Sequence, residues 1–285
     1  MTSIDPRTST DVAPDVSCPV AAERGFGRRR FVASLAALGA SCALPRSAAA
    51  FGDLGAFDPR ILLTGSQTAA AHATAPPRWS WELVQRTSAP ARLRPTSVHA
   101  DDPTLVDAPF LYWSDRAEVK PLTSPELAGL RRFFALGGLL FVDDAAPSAD
   151  GASGPFGKSA RRELARVLPE SAPIPLAEDH VVYRTFYLLR RAEGRIAGKK
   201  LLDAIVRGTR VQVIFSDHDL GGALARGPTG VWEEPVVPGG DIQRERAIRL
   251  AVNVAMYALC SNYKDDQVHA PFLMRRRAIA SGMDP

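Results

Sequence analysis

Four short apolar runs in this chain each end in residues that could do chemistry. Arg60-Ile61-Leu62-Leu63 leads into Thr64-Gly65-Ser66-Gln67, and Phe110-Leu111-Tyr112-Trp113 into Ser114-Asp115-Arg116. Leu139-Leu140-Phe141-Val142 leads into Asp143-Asp144, and Val211-Gln212-Val213-Ile214-Phe215 into Ser216-Asp217-His218-Asp219. If the runs are parallel strands, these groups gather along one edge, where open α/β sheets bind ligands. The expected ligand site is acidic: Asp115, Asp143, Asp144, Asp217, His218 and Asp219, with Asp179, His180 and Trp232 contributed by loops.

Two chemistries fit the carboxylates. Asp143, Asp144, Asp217 and Asp219 suit a hard divalent cation, and His218 or His180 would complete a transition-metal set. In the other reading each Asp caps the next helix or turn by accepting backbone N–H bonds. Asp-x-Asp alone does not choose between them. Asp179-His180 places a carboxylate beside an imidazole, as in an oriented general base, or else His180 is a hydrogen-bonded structural residue. His72 sits in an Ala/Thr-rich loop with no partner evident, and His99 and His269 read as structural.

A nucleophile is hard to find. Gly65-Ser66 lacks the flanking pattern of a G-x-S-x-G elbow, and the chain has no P-loop, G-x-G-x-x-G or C-x-x-C. Cys260 falls near the end of an apolar helix, where inert packing is expected. Trp79, Trp81 and Trp113 read mostly as core or interface residues. Trp232, in a long loop, is the one placed to stack on a sugar.

The elements that position these groups alternate strand and helix. Thr123 and Glu126 form a capping box for a helix over 124–136, with Leu127, Leu130 and Phe134 on one face and Gly137 as its stop. Further helices are expected over 156–168, over 241–260 with Asp241 as N-cap, and after Pro76-Pro77 from Trp79. The near-continuous apolar strands suit a sheet buried on both faces. The expectation is a three-layer, flavodoxin-like α/β domain with a mainly parallel sheet. Segment 173–215 is less regular, and Lys200–Val206 fits a strand or a helix. Loops 145–155 and 216–240 are rich in Gly and Pro, and the second is long enough to be functional.

The chain has 285 residues, 46% apolar and 23% charged, which excludes a wholly disordered, collagen-like or multi-span membrane protein. Its net charge of +4 comes from interspersed residues, so no extensive nucleic-acid surface is expected. Residues 1–50 have the three parts of an export signal: Arg28-Arg29-Arg30-Phe31-Val32, a short apolar stretch Ala33–Leu44, and Ala48-Ala49-Ala50. Twin arginines followed by x-Phe-Val indicate the twin-arginine (Tat) route, hence a periplasmic or secreted protein. Cleavage after Ala50 leaves a single domain, 51–285, with Cys260 as its one thiol and no transmembrane span. Cys42 is a poor lipid anchor, because Gly39 stands where a lipobox carries Leu.

Three stretches together resemble a bacterial family known as domain of unknown function 4159. They are Phe110–Trp113 with Leu127–Asp144, Glu178–Tyr183, and Ser216–Gly222 with Arg246–Leu259 and Asn262–His269. The resemblance spans roughly 57–275. It implies a fold similar to class I glutamine amidotransferases, but not their chemistry, which needs a cysteine after a central strand. The leading expectation is a non-catalytic module that binds an envelope protein, a membrane-anchored protein or a glycan at the strand ends. The alternative is a metal-dependent hydrolase whose bound cation activates water, with Asp143, Asp144, Asp217, His218 and Asp219 as ligands.

Overall fold

The computed structural model describes residues 55–208 and 210–280, with side chains through Ser261. The export signal expected over 1–50 lies outside the described residues. Seven strands form one sheet: β1 (Arg60–Leu63), β2 (Ser97–His99), β3 (Phe110–Asp115), β4 (Leu139–Asp144), β5 (Ile174–Pro175), β6 (Asp203–Arg207) and β7 (Arg210–Ser216). Their order is β2-β1-β3-β4-β7-β6-β5. The pairs from β2 to β7 are parallel. β6 and β5 then add antiparallel at one edge. Lys200–Val206 therefore resolves to a strand only from Asp203 on, hairpinned onto β7 through Gly208 at φ +62.

The helices are α1 (Ala75–Thr87), α2 (Ser124–Ala135), α3 (Pro155–Val167), α4 (Leu220–Leu224) and α5 (Gly240–Ala280). The capping box forms as its spacing requires: Glu126 accepts the Thr123 N–H at 2.8 Å, and Thr123 Oγ accepts the Glu126 N–H. α1 starts earlier than expected, because Pro76 and Pro77 fit its first turn, where no N–H is needed. α5 starts at Gly240, with Asp241 in its first turn instead of capping it. It runs past Cys260 to Ala280. α4 lies inside the long loop and was too short to show a period.

The sheet alternation sorts the core into two layers. Tyr112, Phe141 and Ile214 face α1, α4 and α5. Leu111, Trp113, Leu140, Val142, Val213 and Phe215 face α2 and α3. This is the three-layer, flavodoxin-like α/β arrangement. Trp79 anchors the first layer, packed edge-on to Phe110, Tyr112 and Phe141, with its Nε1 donating to Ala251 O at 2.7 Å. Among the described residues no helix is long and apolar enough to cross a membrane.

Candidate functional site

Ser114, Asp143 and Ser216 stand in register across β3, β4 and β7. One residue on, Asp144 pairs with Asp115. Neighbours on a strand point to opposite faces, so the two carboxylates of Asp143-Asp144 leave the sheet in opposite directions. The strand-end groups divide with them into two clusters.

Beneath α1, α4 and α5, Asp143 accepts the N–H groups of Leu220 at 2.9 Å and Gly221 at 2.7 Å, and the Tyr112 hydroxyl at 3.0 Å. Asp219 accepts the Gly222 N–H at 2.9 Å, lies 3.0 Å from His72 Nε2, and pairs with the Arg195 guanidinium. Two buried carboxylates thus take the first three N–H groups of the five-residue α4. The backbone yields to make this fit. Asp219 sits in the left-handed region at φ 52, ψ 62, which a short polar side chain tolerates best.

The glycine pair is equally required. A Cβ on Gly221 would stand 2.5 Å from Tyr112 Oη, and one on Gly222 would stand 2.5 Å from Asp219 Oδ2. Burial pushes the Asp143 carboxyl up to about 7, and the Asp219 charge adds to it, against the pull of the Gly221 and Leu220 N–H groups. Burial also drives the Tyr112 hydroxyl well above its ordinary value.

On the α3 side, Asp144 accepts the N–H groups of Ala146 at 3.1 Å and of Gly154, closing loop 145–155 onto the start of α3. Asp217 is held by a two-pronged Arg161, at 2.9 and 2.8 Å, and by the Ser153 hydroxyl at 2.9 Å. Arg161 also reaches Asp203 and lies over the Phe215 ring. α3 comes close enough that a Cβ on Gly157 would stand 2.5 Å from Asp144 Oδ2 and 3.1 Å from Asp217 Oδ1. Burial raises the Asp144 carboxyl.

The remaining expected residues are spread wider. His218 is 1% exposed. Its Nε2 donates to Lys199 O at 2.8 Å, and its Nδ1 bonds no described residue. Burial lowers its pKa and favours the neutral ring. Asp115 caps its own turn through the N–H groups of Arg116 and Ala117. Asp179 is exposed, and His180 serves its own turn instead. The His180 Nδ1 accepts the Val182 N–H, and its ring lies against Tyr257. Trp232 is half-buried, with Arg244, Arg226 and Arg78 at 4.3, 5.0 and 5.5 Å from its ring. Cation–π stacking engages the ring expected to meet a sugar.

Several expectations are corrected by this geometry. Asp143, Asp144, Asp217, His218 and Asp219 do not form one donor set, because the sheet separates them. Among the described residues no group of three or more His, Cys, Asp or Glu could hold a metal ion. His72 does have a partner, Asp219, supplied from 147 residues away. Cys260 is exposed instead of packed, since the buried part of α5 ends at Ala258. Trp81 is 39% exposed, with Arg78 stacked 3.9 Å from its ring. Sequence reasoning missed Arg161, Arg195, Tyr112 and Asn253. Asn253 alone had a local signal, as a lone amide among apolar residues of α5.

The site residues follow from two polar clusters at the carboxyl edge of a parallel sheet, each closed by glycines that admit a carboxylate. A search of curated proteins finds no match. The stretch from the first strand through the buried part of α5, residues 60–259, matches the model described as Domain of unknown function (DUF4159), and the chain belongs to that family.

Proposed function

We propose that this chain is an exported, non-catalytic binding module. Its ligand, an envelope protein or glycan, would sit at the carboxyl ends of the strands. One observation carries the reading: the carboxylates that could do chemistry are already committed to the fold. Asp143 and Asp219 hold α4, Asp144 holds α3, and Asp217 is neutralised by Arg161. A general base or metal ligand needs a lone pair free to take a proton or a cation.

The strand order reverses between β1 and β3, and ligands of open α/β sheets favour that crevice. There the Gly65-Ser66 turn is exposed, and a Cβ on Gly65 would meet open space. Asp115 and Arg116 form the facing wall, with Arg116 bridging to Glu234 in the loop that carries Trp232. Residues 1–50 would direct the chain through the Tat route, giving a periplasmic or secreted protein. The likeness to the glutamine-amidotransferase fold would then be one of scaffold only.

The test is a panel of ester, amide, glycoside and phosphoester substrates, run with and without Zn²⁺ or Mg²⁺, beside thermal-shift binding of soluble envelope glycan fragments and envelope proteins. No turnover is expected. A ligand that raises Tm should lose its effect in Ser66→Trp or Asp115→Lys. Turnover abolished by Asp143→Asn in a folded protein would overturn the reading.

A further inference from the structure

Residues 184–190 belong to no strand, yet they alternate. Arg184, Phe186, Leu188 and Arg190 are exposed, while Thr185, Tyr187 and Leu189 turn inward. Tyr187 and Leu189 pack on the core. The outward row therefore reads cation, ring, aliphatic, cation. Phe186 is 45% exposed and Leu188 is 88% exposed. Exposure that high leaves Leu188 without neighbours on either side, so it stands on a ridge and not in a groove.

The ridge is held rigid from below. The buried Asn253 of α5 accepts the N–H groups of Phe186 and Tyr187, at 3.2 and 2.8 Å, and donates to Val182 O and Tyr187 O, at 3.0 and 2.9 Å. All four positions of the amide are used. The Leu189 N–H adds a bond to Tyr183 O. The two apolar tips are thus displayed on a fixed backbone, with the Phe186 ring edge-on to Tyr187 at 4.9 Å between centroids.

The surroundings are cationic. Arg184 and Arg190 make no ion pair among the described residues. Arg191 and Arg246 share one carboxylate, Glu193, and Arg249 lies over the Tyr187 ring and shares Glu245 with Arg86. We propose that this ridge docks the protein on an anionic lipid surface. Phe186 and Leu188 would enter the headgroup boundary while the flanking arginines stay among the lipid phosphates. An exposed apolar tip ringed by long cations matches that layered chemistry. A protein pocket would bury Leu188 without calling for cations on both sides of it, whereas Arg184 and Arg190 flank the apolar pair. The ridge uses different residues from the strand-end crevice, so the proposal stands whether or not that crevice binds.

The experiment is co-sedimentation of the full chain with phosphatidylcholine vesicles, and with vesicles containing about one third phosphatidylglycerol. Binding is expected only to the anionic vesicles, weakening in high salt. Phe186→Asp/Leu188→Asp should lose at least about tenfold in partition, from two apolar burials forfeited. Arg184→Glu/Arg190→Glu should lose at least about tenfold, since each basic residue contributes roughly fivefold. Leu136→Asp, an exposed apolar site just past the end of α2, should bind as the parent does, and circular dichroism confirms that each variant is folded. Failure of the parent to bind anionic vesicles overturns the proposal, even if an acidic protein binds instead. Equal binding by all variants also overturns it, assigning adhesion to the basic segments Arg28–Arg30 or Arg275–Arg277.

Discussion

Replacing Asp143 with Asn should change how stability depends on pH, in the direction opposite to an ordinary salt-bridged aspartate. The folded-state carboxyl is raised to about 7 from 3.8, first by burial and then by the Asp219 charge. Below about pH 4 both folded and unfolded chains carry this proton, and the site adds no pH dependence. Between about 4 and 7 the unfolded chain has lost the proton and the folded chain keeps it. Stability then falls as pH rises, by about 1.4 kcal/mol per unit, to a limit of about 4 kcal/mol over the window. Asn cannot titrate, so the variant lacks this slope. Its own cost is about 1–2 kcal/mol, because an amide NH₂ puts two hydrogens where the protonated carboxyl has one and leaves fewer lone pairs for the Leu220, Gly221 and Tyr112 donors. The parent-minus-variant difference should therefore be largest near pH 4 and shrink toward pH 7. Urea unfolding of both proteins at four pH values measures it, and the subtraction removes the other carboxyls. A difference that is flat, or that grows with pH, would refute the account of Asp143.

Three further outcomes follow from named contacts. Arg161→Met should cost about 2–4 kcal/mol, less than a fully buried pair because the guanidinium is partly exposed. Adding Asp217→Asn should recover part of that in a double-mutant cycle by chemical denaturation. Gly221→Ala should destabilise by about 1–3 kcal/mol through its clash with Tyr112 Oη, and Tyr112→Phe should make the second change cheaper than the two summed. Asn253→Ala should release 181–189, seen as faster amide exchange at Phe186 and Tyr187, with about 2–3 kcal/mol lost in unfolding experiments.

The core strands were legible because each is an apolar run of the right length bounded by polar residues. α2 was legible because Thr123 and Glu126 carry their cap in the local spacing. β2 and β5, of three and two residues, hold too little pattern to be seen. β6 reads Asp-Ala-Ile-Val-Arg, a pattern that a helix shares. The site was half legible. Its strand-end aspartates do lie at the sheet's carboxyl edge, but His180 and Trp232 lie elsewhere and the charged partners are distant in sequence. Arg161 meets Asp217 across 56 residues, Arg195 meets Asp219 across 24, and no local spacing encodes either pair. One part was readable from the outset. Asp143 and Asp144 are consecutive on a strand, so period-2 geometry alone separates them and weakens any metal set that needs both.

The same geometry explains why a parallel sheet can display acidic residues at its carboxyl edge that serve the fold. Strand ends face the N-termini of the helices that follow, where donors stand unpaired. An Asp placed there can leave those donors to a ligand or take them itself. Here they are taken: Leu220, Gly221 and Gly222 by Asp143 and Asp219, Gly154 by Asp144, and the Gly65 N–H by Glu126 at 2.8 Å. In its first turn α1 has Pro76 and Pro77, which have no N–H, while Ala75 and Arg78 bond back to His72 and Thr74. A phosphate at the β1–β3 crevice would find neither a free helix terminus nor an empty turn, because the Glu126 carboxylate already occupies the anion's place. On the proposed binding role, a ligand of that crevice would be recognised through side chains such as Ser66, Asp115 and Arg116. That favours a hydroxyl-rich or peptide surface over a nucleotide, and inorganic phosphate or nucleotides should leave the Tm unchanged where a glycan or peptide raises it.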